Sequence, residues 1–163
     1  MKNHAKTSGQ LLIESLIGVS IVVVGLLGIV GLVSRSLSLN RVVSDQFTAS
    51  YLSLEGVEIA RNLLDSNIIK GEAWNQGFAN TGSYEVDYNS PALEISRDRY
   101  LNFDANGFLS YSPGKATSFK RTIVVSGSGD EVIVNSIVKW ESRGGEYEIN
   151  NEHHFYNWRP AKK

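Results

Sequence analysis

The stretch SLIGVSIVVVGLLGIVGLVS, residues 15–34, contains no charged side chain and decides how the rest of the chain can fold. As an α-helix, a run of this length spans about 30 Å, which matches the hydrocarbon thickness of a bilayer. A secretory signal peptide has a shorter apolar core, and an interfacial helix has a charged face. Covering this helix on all sides inside a soluble domain would take roughly 150 residues of core. The sequence therefore predicts one membrane-spanning helix.

The composition limits the chemistry of the remaining chain. The 163 residues carry 16 Lys and Arg against 17 Asp and Glu, and this net charge of -1 gives no clear nucleic-acid signal. Cysteine is absent, which excludes thiol catalysis, disulfides and cysteine-ligated metal centres. The adjacent His153 and His154 would face opposite sides of a strand and could not chelate one ion. We therefore predict a protein that is not an enzyme and has no metal or cofactor.

The residues ahead of the span form a second pattern. Lys2 and Lys6 belong to a short basic leader, which is followed by Gly9, by Gln10 with three apolar residues, and by Glu14. A carboxylate costs about 2.5–3.5 kcal/mol at the bilayer centre and less near its edge. Glu14 therefore needs either a position from which it snorkels to water or a counter-ion. Positive charges are nearly balanced across the span and do not set its orientation.

This arrangement resembles the N-terminus of type IV pilins and type II secretion pseudopilins. In that family a membrane-embedded prepilin peptidase cuts after the glycine, the new amino terminus is methylated, and the apolar helix becomes the assembly stem. The resemblance implies cleavage after Gly9 and methylation of Gln10, where the family more often has Phe. It also implies that Glu14, at the fifth mature position, pairs with the amino terminus of a neighbouring subunit.

The same resemblance implies partners and a location. The partners are prepilin peptidase, other pilin or pseudopilin subunits, an assembly platform protein and an ATPase, with membrane lipid around the helix before assembly. The chain would cross the inner membrane once, with its C-terminal head outside the cytoplasm, and then enter an extracellular or periplasmic filament. Major pilins often carry a proline in this helix, and this span contains none, so the resemblance is to a minor pilin or a pseudopilin rather than to a major subunit.

Gly25, Gly28 and Gly31 lie inside the span and are the remaining predicted assembly residues. An interior glycine weakens a helix by about 0.5–1 kcal/mol relative to alanine, so the three could let the stem bend or melt during packing. They could also let stems approach closely, as small residues do in membrane helix pairs. Glycine is in addition common in membrane helices, and the sequence leaves these explanations open.

The order of patterns predicts an α+β fold, in which a long N-terminal helix packs on a C-terminal antiparallel sheet as in a pilin-like roll. The helix spans the membrane with its first half and is amphipathic in its second half. The predicted segments are a cleaved leader (1–9), a hydrophobic helix (10–34), its amphipathic continuation (35–65), a connecting loop region (66–98) and a β-meander head (99–163).

The amphipathic continuation is expected to turn one apolar stripe toward the sheet and to end at residues 65–67, where no capping glycine follows. Arg61 falls inside this stripe, with its aliphatic part covering apolar surface. The predicted stripe consists of Leu39, Val42, Val43, Phe47, Leu54, Val57, Ala60 and Leu64, and Arg41, Asp45 and Glu55 are placed on the far side.

Alternation in the last part of the chain predicts three long strands, 119–126, 131–141 and 146–158, joined by glycine turns. An Ala-Asn-Gly turn predicts a hairpin of residues 100–103 and 108–111. A change of parity near Asn135 and Ser136 predicts a bulge.

Several other head residues have two interpretations each. Trp74 and Phe78 are either exposed anchors or core residues. A calcium loop is conceivable at Asp98, Asp104 and Asn106, although simple turn chemistry is favoured there. Lys115, Lys120 and Arg121 are a conceivable local basic patch.

The leading hypothesis is a structural filament subunit, a minor pilin or pseudopilin. One alternative is a single-pass, permanently anchored binding module in which Gly9 and Glu14 are coincidental. Another keeps the processing but makes the chain a pilus-tip adhesin or DNA-uptake component.

Overall fold

The computed structural model describes residues 4–142 and 144–158, with side chains from residue 9 onward other than Ser38 and Ser128. The start of the predicted leader, Arg143 of a predicted turn and the end of the predicted head lie outside these residues. Within them, one helix is followed by an antiparallel sheet, which confirms the α+β prediction. The elements are α1 (His4–Lys70), β1 (Gly82–Glu85), β2 (Glu94–Ile95), β3 (Tyr100–Phe103), β4 (Leu109–Ser110), β5 (Lys115–Ser128), β6 (Glu131–Ser142) and β7 (Gly145–Tyr156).

The chain divides into two compact units, 1–44 and 45–163, and α1 contributes to both. In the described part of the first unit the chain is helical, and every described side chain except the half-buried Val42 is exposed. This helix is long and apolar enough to cross a membrane. The second unit, called the head below, combines residues 45–70 of α1 with the sheet.

The helix ends later than the sequence predicts. The N–H of Gly71 donates to the carbonyl of Ile68 (3.2 Å), and the N–H of Glu72 donates to the carbonyl of Asn67 (2.9 Å). These two bonds are the Schellman motif, and Gly71 supplies the left-handed residue that it needs, with φ of 75°. The predicted end at residues 65–67 is therefore wrong, because the capping glycine stands several residues further on.

The helix face that packs on the sheet differs from the predicted stripe. Val57, Ala60 and Leu64 are buried as expected, whereas Leu39, Val43, Phe47 and Leu54 are exposed. Much of the observed contact is made by short side chains, since close packing of a helix on a sheet leaves little room for long ones. The buried face of the helix consists of Ala49, Leu52, Ser53, Gly56, Val57, Ala60 and Leu64.

Helix and sheet approach each other closely at Gly56. A Cβ added there would lie 2.3 Å from Oγ of Ser136 and 2.8 Å from Cδ1 of Ile123. One turn earlier on the helix, Oγ of Ser53 donates to the carbonyl of Ser136 (2.9 Å). Glycine at 56 is therefore required by space, because any side chain would meet the middle of β6.

The bulge predicted near Asn135 and Ser136 is absent. β6 pairs with β5 and with β7 in unbroken register through both residues. Ser136 takes a buried position in regular alternation between Val134 and Val138. The hydrophobic alternation of the sequence is interrupted there because Ser136, a small polar residue, occupies an inward position opposite Gly56.

The sheet is centred on β5. One edge of β5 pairs with β6, which pairs with β7, so the predicted three-stranded meander is confirmed. Along the other edge, the first half of β5 pairs with β3 and the second half pairs with β1. β4 then pairs with β3, and β2 pairs with β1. The predicted hairpin around the Ala-Asn-Gly turn is β3–β4. The predicted connecting loop therefore contains the end of α1 and the two strands β1 and β2.

Two apolar clusters form the core, and a polar layer lies between them. The layer comprises Ser53, Gly56, Arg121 and Ser136, which fall between the clusters along α1, β5 and β6. Phe78 belongs to the core and Trp74 packs against it, which decides their two interpretations in favour of packing. One cluster contains Ala60, Leu64, Phe78, Val86, Ile123, Val125, Val132 and Val134, and the other contains Ala49, Leu52, Leu101, Phe119, Val138 and Trp140.

Gly56→Ala is expected to destabilise the head. Alanine gains about 1 kcal/mol of helix propensity, but overpacking against Ser136 and Ile123 costs about 1–3 kcal/mol. Urea unfolding of the full chain in detergent, followed by tryptophan fluorescence, measures the difference. Gly18→Ala is the matched control, because a Cβ at Gly18 meets nothing within 4 Å. A Gly56→Ala head as stable as the original would contradict the close contact.

Candidate functional site

The predicted processing and assembly residues all lie on α1. At about 100° per residue, Gly18, Gly25 and Gly28 fall within about 40° of Glu14 around the helix axis, whereas Gly31 is about 100° away. Glu14 therefore shares one face with three glycines, here called the glycine face. Gly31 does not belong to this face, and Gly18, which the sequence analysis missed, does. The sequence does contain a signal for Gly18, because it follows Glu14 by four residues and residues four apart lie on the same side of a helix.

The glycine face is open. A Cβ added at Gly18, Gly25 or Gly28 would meet no atom within 4 Å, and the same holds at Gly9. Small residues on a membrane helix let a second helix approach backbone to backbone. The face is therefore shaped for close helix contact, and a helix packed on it would also cover the carboxylate of Glu14.

The apolar surface around this face is uncovered within the chain. None of the most apolar window of the helix is buried against other residues of the structure. Large side chains such as Leu12, Val24 and Leu32 are among its exposed residues. Exposed apolar surface of this extent marks contact with a membrane or with other proteins.

The head exposes a second apolar strip of α1. Phe47 is 62% exposed, Tyr51 is 71% exposed and Leu54 is 51% exposed. Their spacing of four and three residues places them on one side of the helix, here called the outer helix face. The predicted stripe places Phe47 and Leu54 against the sheet, but the buried face passes through Ala49, Ser53 and Gly56 instead.

The most complete electrostatic arrangement in the head surrounds Glu85, which is 1% exposed. Its Oε1 accepts hydrogen bonds from the backbone N–H groups of Arg97 (2.9 Å) and Arg99 (3.0 Å), and its Oε2 accepts one from Nε of Arg99 (2.6 Å). Asp98 between them has φ of 56°, so residues 97–99 form a backbone nest around the carboxylate. Burial alone would raise the pKa of Glu85, but the hydrogen bonds from Arg99 and Arg97 outweigh it and lower the pKa.

Arg121 is the second buried charge, at 1% exposed. Its Nη1 donates to the carbonyl of Leu52 (3.0 Å) and to Glu55 (2.9 Å), and its Nη2 donates to the carbonyl of Val86 (2.6 Å). The guanidinium thus joins α1, β5 and the segment after β1. Lys120 points to the opposite side of β5, where it pairs with Asp98 and lies 4.6 Å from the ring centre of Tyr100. The structure therefore does not bring the conceivable basic patch together.

The conceivable calcium loop is occupied by its own hydrogen bonds. Oδ1 of Asp104 accepts from the N–H groups of Asn106 (2.8 Å) and Phe108 (3.0 Å), and Oδ2 accepts from the hydroxyl of Tyr88 (2.5 Å). The bond from Tyr88 is the largest of the effects that lower the pKa of Asp104. Asp104 therefore serves the turn, as the turn interpretation predicts, whereas Asp98 pairs with Lys120.

His153 and His154 lie on opposite faces of β7. His153 stacks on Phe155 with ring centres 6.1 Å apart. His154 lies between Glu131 (2.7 Å) and Glu152 (3.2 Å), and the hydrogen bond with Glu131 is the main cause that raises its pKa. Among the described residues, no group of three or more histidine or carboxylate side chains is arranged to hold a metal ion.

No protein-family model, no curated protein and no solved structure matches this chain significantly.

Glu85→Gln is expected to destabilise the head by about 2 kcal/mol at pH 7, because it weakens charged hydrogen bonds to a buried group. Because the pKa of Glu85 is lowered in the folded head, the stability that it contributes depends on pH. The contribution of Glu85 is fully present above its unfolded pKa of about 4.3 and is lost as the pH falls through the lower folded value. The variant should therefore lose less stability between pH 5 and pH 2 than the original chain.

Urea unfolding of the full chain in detergent across this pH range provides the measurement. Glu58→Gln is the control, since Glu58 is exposed and pairs only with the exposed Arg61 in the described structure. Identical acid slopes for Glu85→Gln and the original chain would contradict a stabilising role of the nest.

Proposed function

We propose that the chain is a structural subunit, a minor pilin or pseudopilin, of a type IV pilus-like filament or a type II secretion-type pseudopilus. The observation that carries the proposal is the position of Glu14 on the open glycine face of an uncovered apolar helix. A helix that only anchors a protein in lipid has no use for a carboxylate on the face that is best shaped for contact with another helix.

The electrostatics of Glu14 support this function. Cleavage after Gly9 would create an ammonium group on Gln10, and a carboxylate removed from water needs such a partner. An unpaired carboxylate inside a bundle of helices costs several kcal/mol. Pairing between the Gln10 terminus of one subunit and Glu14 of the next would remove this cost and would also fix the axial position of each incoming subunit.

The glycine face supports the same function. Gly18, Gly25 and Gly28 would let neighbouring stems approach closely on the side that carries Glu14. Close approach excludes water and lipid from the carboxylate, which strengthens its attraction to an ammonium group. Gly31 lies off this face, so its role would be the local weakening of the helix.

The outer helix face argues against a simple anchor. Phe47, Tyr51 and Leu54 belong to the head, and Arg35, Arg41 and Asp45 separate them in sequence from the uncharged span. Bilayer hydrocarbon that covers the span has no reason to extend past three charged residues. An exposed apolar strip of this kind favours contact with other protein, and sister subunits in a filament would supply it.

The proposed partners follow from this function. Prepilin peptidase would cut the chain and methylate Gln10, and an assembly platform protein with its ATPase would move it from lipid into the filament. The chain would first cross the inner membrane once with its head outside the cytoplasm. Its final location would be an extracellular or periplasmic filament.

Glu14→Ala tests the proposal. The variant should still insert into the membrane, since removal of a charge from an apolar helix favours insertion. Its amount in the sheared filament fraction should fall at least about tenfold, because the pairing that selects the subunit is lost. Immunoblots of filament and membrane fractions, from cells that carry the peptidase and the assembly machinery, measure both quantities.

Glu58→Ala is the matched control, because it removes an exposed carboxylate from the head part of the same helix. It should leave both fractions unchanged. Normal filament incorporation of Glu14→Ala would reject the pairing role of Glu14. Absence of the original chain from the filament fraction would reject the subunit function and leave the permanently anchored binding module as the better description.

A further inference from the structure

β7 lies at an edge of the sheet. It pairs with β6 in twelve consecutive residue pairs, from Glu131 with Tyr156 to Ser142 with Gly145. In the part of the chain that the structure describes, β7 pairs with no other strand. Every second residue of β7 therefore turns its N–H and C=O groups away from the sheet, where no strand receives them.

The usual structural protections of such an edge are absent from β7. Proteins commonly shorten an edge strand, interrupt it with a proline, or twist it away with a bulge. β7 is 12 residues long, contains no proline and keeps continuous register with its neighbour. What distinguishes this edge is charge. The side chains on the sheet face away from α1 are all exposed, and they are Glu146, Glu148, Asn150, Glu152, His154 and Tyr156.

Three of these side chains, Glu146, Glu148 and Glu152, form what is here called the acidic row. Glu152 is hydrogen-bonded to His154 at 3.2 Å. Glu148 pairs with Lys139 at 3.3 Å, but both side chains are at least half exposed and the pair contributes little. Glu146 has no described Lys or Arg at ion-pair distance and lies directly opposite Glu141 on β6. Like charges in directly opposed positions destabilise a strand pair, so a cationic group at this place would relieve the repulsion.

A cleft opens at the Gly145 end of the acidic row. Its volume is about 490 Å³, and Glu141, Glu146 and Glu148 contribute to its wall together with Tyr100. Lys120 and Lys139 also line it and pair with Asp98 and Glu148, so Glu141 and Glu146 supply the remaining negative charge of the cleft. The cleft therefore has the size and the remaining charge to receive a long cationic side chain beside the first residues of β7.

We propose that β7 accepts an extended segment of another protein as an additional strand, and that this segment carries Lys or Arg at alternate positions. Backbone hydrogen bonds to the open edge would supply affinity. Side chains of an added strand repeat every second residue, so alternate cations would lie beside the acidic row and supply specificity. This interaction does not depend on the filament function, because it uses only the head.

The same charges disfavour a second copy of this chain that adds in parallel and in register. That arrangement would bring two acidic rows together, and opposed carboxylates are unfavourable. The acidic row thus opposes this form of self-association while it attracts a basic partner, and a selective interface uses both effects.

The test uses the full chain in detergent micelles and a synthetic peptide, as long as β7, of alternating Lys and Thr. Calorimetry should detect binding, and hydrogen exchange followed by mass spectrometry should show slower exchange in β7 when the peptide is present. A fully N-methylated peptide of the same sequence keeps the charge but cannot form the ladder, and it should not bind. A peptide of alternating Glu and Thr should not bind either.

Glu146→Lys should weaken binding of the Lys-Thr peptide by about fivefold or more, since it reverses one charge of the row. Glu72→Lys changes the net charge equally at an exposed loop position and should leave binding unchanged. Four outcomes would overturn the proposal. They are no binding of the Lys-Thr peptide, equal binding of the N-methylated peptide, binding that leaves β7 exchange unchanged, and concentration-dependent association of the chain through β7.

Discussion

One constraint governs this molecule: the apolar side chains of α1 between Leu11 and Val33 are exposed and must be covered by lipid or by other protein. Burial of apolar surface is the dominant favourable contribution to protein association, and lipid or other protein can provide it here. The helix then continues into the head, where residues 45–70 supply one side of the core. A single helix therefore meets two different environments, and the sequence changes character between them.

The head is organised by small side chains and two buried charges. Gly56 and Ser136 let helix and sheet approach closely. Arg121 of β5 donates to the carbonyl of Leu52 and to Glu55 on α1, and to the carbonyl of Val86 after β1. Glu85 similarly fixes residues 97–99 through a backbone nest. Removal of one partner from a buried charged contact is costly because the other partner stays behind in low dielectric.

The sequence predicted the elements well because periodicity is a strong signal in long segments. The uncharged span, the three long strands and the Ala-Asn-Gly hairpin all follow from spacing, and the structure contains each of them. Contact partners were harder, because hydrophobicity alone ranked Phe47 and Leu54 above Ser53 and Gly56 as sheet contacts. Close packing favours the smaller residues there. Alternation of Phe119, Ile123 and Val125 on β5 was sufficient to place Arg121 inside, but its charge suggested the surface. In the candidate site, the N-terminal sequence motif identified Glu14, whereas Gly18 becomes apparent only when the residues are placed around the helix axis.

The proposed function requires cleavage after Gly9, because only then would a new ammonium group on Gln10 be available to the carboxylate of Glu14. Intact-mass analysis of the chain, purified from membranes of cells that contain prepilin peptidase, tests this most directly. The account predicts a chain that begins at Gln10 and carries one added methyl group. A chain that still begins at Met1 in those cells would contradict it.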